Sequence, residues 1–259
     1  MSKTKTKYIS ASQIGTFLTC PLAYKYIYVD GAKRMPPNPY TVFGSAIHSA
    51  LEYNFEQKIK SKTDLDTMSI INKFQTEFEN GLKTVSRQWM RYSSTLNLQG
   101  EDMISKYMAD IAPDIIPIAT EQKFEIELKS IGVTILGYID LITEDGTIYD
   151  YKTLGESSYR KWTQEYLDNN IQFTLYALAY RKLMDKPEQR LGVQLLKRLK
   201  GGPSFDIMYT QRDEQNIIAI VQLLARMDQI IKNDLWYPNL LSCTACDFKT
   251  SCNRQCFFK

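Results

Sequence analysis

Gly137-Tyr138-Ile139-Asp140, followed by Asp150-Tyr151-Lys152, is the stretch on which the reading of this chain turns. Two acids and a lysine interrupt segments rich in β-branched and aromatic residues, Val133 to Ile142 and Ile148 to Thr153, that otherwise read as strands. A buried unpaired charge is costly, so apolar strands keep such residues only when something pairs with them. A divalent cation held by the carboxylates, with the lysine working beside it, is the natural account. Two carboxylates share an ion only if they face the same way, and the turn Glu144-Asp145-Gly146 controls that. A loop of two or four residues pairs Asp140 with Tyr151 and sends the acids to opposite faces. A three-residue loop with Gly146 in the left-handed conformation pairs Asp140 with Asp150, their Cβ atoms roughly 5 Å apart. Alternation then puts Lys152 on the same face. The turn residues favour the three-residue form. Taken alone, the segment is also compatible with a solvent-facing edge hairpin.

Working outward, Ser10-Ala-Ser-Gln-Ile-Gly-Thr-Phe-Leu predicts a short helix capped by Ser10 or Ser12 and redirected at Cys20-Pro21. Pro36, Pro37 and Pro39 mark a loop before a strong helix, about Val42 to Ile59. Two or three helical segments fill Asp64 to Ile118, and Gln122 to Leu128 alternates as a first strand, with Glu121 at its head. A long helix is expected from about Thr163 to Met184. Strands follow at Leu191 to Leu199 and Phe205 to Tyr209, then a last helix from about Asp213 to Lys232 and a cysteine-rich tail. The order predicts an α/β fold, with a central mixed sheet of about five strands flanked by helices. A single domain is expected over 1–259, made of an N-terminal segment (1–40), a helical region (41–120), the catalytic sheet and helices (121–235) and the tail (236–259).

Composition restricts rather than assigns. The 259 residues are 44% apolar and 24% charged, and the net charge of +3 is too mild to argue for nucleic acid by itself. No apolar run approaches the roughly 18–20 residues of a membrane span, and Met1-Ser-Lys-Thr-Lys-Thr-Lys lacks a signal-peptide core. A soluble, cytoplasmic protein with no membrane partner is expected, and in a reducing compartment clustered cysteines read as metal ligands. Four of the five cysteines, Cys243, Cys246, Cys252 and Cys256, lie in the last 17 residues; Cys20 is far from them. The local four could close a zinc knuckle, and spacing alone does not separate zinc from iron–sulfur. Basic and aromatic residues recur at Tyr159, Arg160, Lys161, Trp162, Lys197, Arg198 and Lys200. They suit phosphate contact and base stacking, or equally a solvated basic face. No Gly-x4-Gly-Lys-Ser/Thr phosphate loop occurs, so unwinding would need a separate helicase.

Six segments, in order, resemble the PD-(D/E)xK nuclease superfamily, and most closely its RecB-like exonuclease branch. They are Phe17-Leu-Thr-Cys20-Pro21-Leu-Ala-Tyr24, Phe43-Gly44-Ser-Ala-Ile-His48, Gly137-Tyr-Ile-Asp140, Asp150-Tyr-Lys152-Thr153, Gln172-Phe-Thr-Leu-Tyr176 and Cys243-x2-Cys246-x5-Cys252. The cysteine arrangement is similar to that of iron–sulfur members, the CRISPR-associated RecB-like exonucleases and AddB-type nuclease domains among them. The resemblance implies a restriction-endonuclease-like core and exonucleolytic cutting of single-stranded DNA or DNA ends. It implies Mg²⁺ or Mn²⁺ held by His48, Asp140, Asp150 and the main-chain carbonyl of Tyr151, with Lys152 as a catalytic partner. It further implies DNA contact by Gln172 and Tyr176, and a structural [4Fe–4S] cluster on Cys20, Cys243, Cys246 and Cys252, leaving Cys256 spare. Without the resemblance, His48 reads as well as a helix residue bonded to Glu52, and Gln172 and Tyr176 as an ordinary helix face. Glu121 is a further candidate acid.

Three functions are compatible with these residues: a metal-dependent DNA exonuclease, a nucleic-acid-binding subunit of a larger helicase–nuclease or integration complex, and a redox or sensing metalloprotein. The intact Asp140, Asp150, Lys152 set favours the first over the second, and Gln172 with Tyr176 favours it over the third. Repair and recombination, phage DNA processing and CRISPR adaptation, with a helicase or integrase as partner, all fit the resemblance.

Overall fold

In the computed structural model, which describes residues 8–249 and 252, helices precede, interrupt and follow one five-stranded sheet. The helices are α1 (Ala11–Thr19), α2 (Pro21–Tyr24), α3 (Pro39–Ser61), α4 (Thr67–Leu82), α5 (Ser93–Asp110), α6 (Gln164–Asp168), α7 (Ile171–Met184) and α8 (Glu214–Lys232). The strands are β1 (Pro117–Leu128), β2 (Val133–Thr143), β3 (Thr147–Gly155), β4 (Arg190–Leu199) and β5 (Gly202–Thr210), ordered β1-β2-β3-β4-β5 across the sheet. β2 and β3 form an antiparallel hairpin, β3 and β4 run parallel, and β4 turns back antiparallel into β5. A parallel pair needs a crossover, and α6 with α7 provides it. The mixed sheet flanked by helices is the one expected. No described helix is long and apolar enough to cross a membrane.

The predicted elements shift mainly at their ends, with one exception. The long helix expected from Thr163 to Met184 is two helices, because Asn169 and Asn170 interrupt it. Asn170 is extended and its side chain accepts from the Gln172 N–H, so it caps a fresh helix instead of continuing the old one.

Packing divides the chain into two compact units. One is drawn from 36–123 and 138–211. Its core is aromatic and aliphatic: Phe43, Ile47, Leu51 and Phe55 of α3, Phe74 and Phe78 of α4, and Met103, Ile104 and Tyr107 of α5 close over Leu141, Tyr151 and Leu196. Gly44 lets α3 come down onto β3, since a Cβ there would stand 2.8 Å from Thr153 Oγ1. His48 is one turn further along the same face of α3, so that close approach sets where the imidazole falls. The other unit takes in 124–137, 212–259 and the start of the chain. There Ile9 bridges to Ile135 of β2, Tyr24 stacks on Trp236, and Leu22 N–H bonds the Tyr237 carbonyl. The N-terminal helices and the segment after α8 are thereby packed together.

Candidate metal and catalytic site

The β2–β3 turn takes the three-residue form. Gly146 has φ +82°, its N–H bonds the Thr143 carbonyl at 2.9 Å, and Asp145 accepts from the Thr143 hydroxyl (2.7 Å) and the Thr147 N–H (3.0 Å). The register Leu141↔Tyr149 and Ile142↔Ile148, continued one step, sets Asp140 opposite Asp150. The edge-hairpin alternative fails: β3 lies between two strands, and Asp150 is 1% exposed. Tyr151 and Thr153 turn toward α3, whereas Asp150 and Lys152 turn toward α7.

The two acids do different things. Asp140 Oδ2 accepts from the Tyr151 N–H at 2.9 Å and lies 3.4 Å from His48 Nδ1. His48 Nε2 is 2.9 Å from the Tyr151 carbonyl, which can only accept, so the ring hydrogen belongs on Nε2. A neutral imidazole then presents its Nδ1 lone pair to a carboxylate oxygen. Two electron-rich atoms at that distance require something positive between or beside them. Burial, outweighing the pull of Asp150, lowers the His48 pKa; burial, reinforced by Asp150, pushes Asp140 well up. A proton therefore stabilises this pocket, and a cation would displace it. Ligand atoms of His48, Asp140 and Glu121 lie within 4.8 Å of one another, a nitrogen and oxygen set that suits a divalent cation.

This grouping departs from the expected ligand set in two respects. Glu121 joins it, and Asp150 is held elsewhere. Glu121 lies inside β1 rather than at its head, with φ +45°, a left-handed backbone that glutamate rarely adopts. Burial, with Glu52 and Asp150 nearby, raises its pKa to about 7. It lines an open pocket of about 350 Å³ with Ser45, His48 and Glu52. His48 bonds the Tyr151 carbonyl and lies beside Asp140 rather than being tied to Glu52.

Asp150 is gripped from α7. Its Oδ1 accepts from Gln172 Nε2 (2.9 Å) and from the Tyr176 hydroxyl (3.1 Å), and Gln172 Nε2 also approaches that hydroxyl at 2.7 Å. Lys152 Nζ stands 2.8 Å from Asp150 Oδ2, an ion pair lacking good hydrogen-bond angles, and donates to Gln172 Oε1 at 3.2 Å. Burial works against the lysine's charge, but Asp150, with Asp140 and Tyr166 adding to it, holds the pKa above the ordinary value. Gln172 and Tyr176, expected against DNA, make their contacts here with Asp150 and Lys152, and Tyr176 is 3% exposed. They can act together because Asn170 starts a new helix and places them one turn apart on it.

In the other unit, Cys20, Cys243, Cys246 and Cys252 line one small pocket with Tyr26 and Phe248, all four as free thiols. Cys20 Sγ accepts from Asn239 N–H and Cys246 Sγ from Phe248 N–H, both at 3.4 Å. Burial raises the Cys252 pKa, and the other three thiols add to the effect. Cys256 lies outside the described residues. Of the basic residues, Lys197 is ion-paired with Asp206 at 2.6 Å, while Arg160, Lys161 and Lys200 are exposed.

The hairpin presents two carboxylates and a lysine, and α3 adds an imidazole beside them, a set that suits a divalent cation and phosphodiester hydrolysis. The sequence model of the PD-(D/E)XK nuclease superfamily matches residues 8–253, and the chain belongs to that superfamily: it is a hydrolytic nuclease, of a family that uses divalent metals and acts on DNA. It is 25% identical over 287 residues to the Gene 69 protein of Mycobacterium phage D29, covering 97% of this chain and 98% of that protein. Its fold is similar to the crystal structure of a "Putative exonuclease" from Eubacterium rectale, with TM-score 0.58 and 13% identity over 90% of this chain and 84% of that one.

Proposed function

We infer that this chain is a metal-dependent DNA exonuclease of the RecB-like kind, working on single-stranded DNA or DNA ends. The observation that carries the reading is the convergence of His48, Asp140, Asp150 and Lys152 at one hairpin, inside a superfamily match that runs through nearly the whole chain. That match supports treating 1–259 as one nuclease domain built from both units. The full-length likeness to a phage protein supports phage DNA processing over repair, recombination or CRISPR adaptation, and the fold neighbour's description agrees with exonuclease action.

His48, through Nδ1, and Asp140 would hold Mg²⁺ or Mn²⁺ with Glu121 or Asp150; the Tyr151 carbonyl is bonded to Nε2 on the far side of the ring and would join them only if the imidazole turned over. When bound, such an ion lowers the pKa of its water and draws charge from the scissile phosphate. Lys152 keeps its proton beside Asp150, so its part is electrostatic: it orients the attacking water and stabilises charge growing on the phosphoryl oxygens. Gln172 and Tyr176 fix Asp150 and Lys152 in register, and Gln172, half-buried, is the one of the two able to reach a DNA phosphate as well.

The four gathered cysteines support a structural [4Fe–4S] cluster. Four thiols on one pocket suit zinc as well as iron–sulfur, and the likeness of the Cys20, Cys243, Cys246 and Cys252 arrangement to iron–sulfur members is what favours the cluster. The test is labelled single- and double-stranded DNA with Mn²⁺ or Mg²⁺, wild type against Asp150→Ala. Cutting by the wild type alone is expected, and two inert proteins would overturn the enzyme reading for the isolated chain. Anaerobically purified protein should be brown, and colourless protein with stoichiometric zinc would overturn the iron assignment.

A further inference from the structure

An open groove of about 730 Å³ begins where β3 ends, lined by Tyr40, Thr153, Gly155, Arg160 and Arg198, with Ser157 and Ser158 beside them. Arg198 is its unusual member. Its guanidinium lies over two rings, 4.8 Å from the Tyr40 centroid and 5.0 Å from that of Phe43. Its one side-chain hydrogen bond is a long one, 3.4 Å to Gln99 Oε1, and its Nε is buried with no partner. Among the described residues no carboxylate forms an ion pair with it, although burial works against its charge. A guanidinium desolvated by aromatic faces, with most of its donors unused, is matched to an anion that arrives from outside; its planar fork fits a phosphate through two parallel hydrogen bonds.

The surroundings agree. Gly155 is the β-sheet partner of Arg198, and a Cβ there would stand 3.4 Å from Nη2, so the missing side chain keeps the floor open beside the guanidinium. Arg160 adds a second, exposed cation. Glu156 is the one acid on the lining, and it too is exposed, free to turn to water. Gly155 follows Lys152 by three residues of strand, about 10 Å, so the groove begins within a few nucleotides' reach of the lysine.

We propose that this groove is a phosphate subsite, in which Arg198, assisted by Arg160, binds a DNA phosphate within the first few nucleotides of the bond being cut. The proposal rests on the nuclease reading above. The phosphate can be an internal phosphodiester or the terminal phosphomonoester of a short end, and the experiment separates the two. Binding of a labelled single-stranded oligonucleotide is measured by fluorescence anisotropy in the Asp150→Ala background, and cleavage in the otherwise unaltered protein. Arg198→Ala should weaken binding roughly 10–100-fold, the range for one charge-assisted contact, and lower the slope of log affinity against log salt by about one. Arg198→Lys should recover only part of the loss, because it restores charge without the fork.

An uncharged methylphosphonate, moved through the first four linkages, should weaken binding about tenfold at one position and cost nothing further there in Arg198→Ala. If removal of the terminal phosphate reproduces that pattern instead, the ligand is the phosphomonoester. Arg198 variants that bind as tightly as their parent, or losses that multiply at every linkage, would overturn the subsite. Should Arg198→Ala misfold in a thermal melt, the linkage scan on unsubstituted Arg198 and the exposed Arg160→Ala decide the matter. Binding that responds as described without any cleavage would keep the subsite and remove the nuclease reading; cleavage indifferent to Arg198 and Arg160 would do the reverse.

Discussion

The acid site and the cysteine pocket are assembled on different terms. Around Asp150 every group is fixed by another: Gln172, Tyr176 and Lys152 all reach it, and Asp140 is held by the Tyr151 N–H. Around the four cysteines the thiol bonds among the described residues are long, 3.4 to 3.9 Å, and Cys243 and Cys246 sit at a short 3₁₀ turn, Leu240–Ala245. One site is shaped by the fold itself; the other, on the proposed reading, would take its final shape from a bound cluster. A preorganised site should lose chemistry without losing stability, and a ligand-shaped one should lose stability first.

The largest effect that tests this contrast is at Asp150. Asp150→Asn keeps the shape but removes the charge, and should cut DNA cleavage by about 10³-fold or more, on the scale of losing a principal electrostatic group. Its thermal midpoint should move by only a few degrees. Activity within tenfold of wild type would mean the acid is not part of the chemistry. Cys20→Ser should do the opposite: bound iron and visible colour disappear and the midpoint drops, by calorimetry, more than for Asp150→Asn. If the two variants melt alike, the cysteine pocket is no more dependent on its ligand than the acid site is.

Gly44→Ala comes next. Its new Cβ meets Thr153 Oγ1 at 2.8 Å, so α3 must shift or Thr153 must turn, and His48 moves with the helix. Cleavage should fall roughly 10–100-fold, since displacements near 1 Å cost about that, and Thr153→Ala in the same chain should restore most of it. Absence of rescue would separate the helix contact from the position of His48.

The smallest effect is with pH. Glu121, with its folded pKa near 7, and Asp140, also raised, stabilise the metal-free fold while protonated. For Glu121 that contribution is complete below its unfolded value of about 4.5 and is lost as pH rises through 7. Added Mn²⁺ should therefore raise the melting midpoint more at pH 8 than at pH 5.5. An equal shift at both values would exclude these carboxyls as ligands.

Much of this was legible in the chain itself. The turn Glu144-Asp145-Gly146 favoured the register that pairs Asp140 with Asp150, because a glycine at the third position of such a loop suits the left-handed conformation. His48 was locatable only through the resemblance of Phe43-Gly44-Ser-Ala-Ile-His48, since alone it read as well as a helix residue bonded to Glu52; the reason for Gly44 is tertiary. Glu121 was readable as a further candidate acid, but its left-handed backbone inside the strand was not, since that leaves no mark on residue pattern. Nor was the grip of Gln172 and Tyr176 on Asp150, because an i, i+4 pair announces a shared face and not what that face meets.

The double asparagine between α6 and α7 bears on how this region tolerates rearrangement. Because Asn170 restarts the helix, the direction of Gln172 and Tyr176 is set locally and is insulated from whatever α6 does. Exchanges of sequence within α6, Gln164–Asp168, can then accumulate without retuning the groups that hold Asp150. Fusing the two helices by replacing both asparagines with alanine would remove that insulation and make every upstream change felt at the site. The interruption acts as a joint between a stretch free to vary and one that is not.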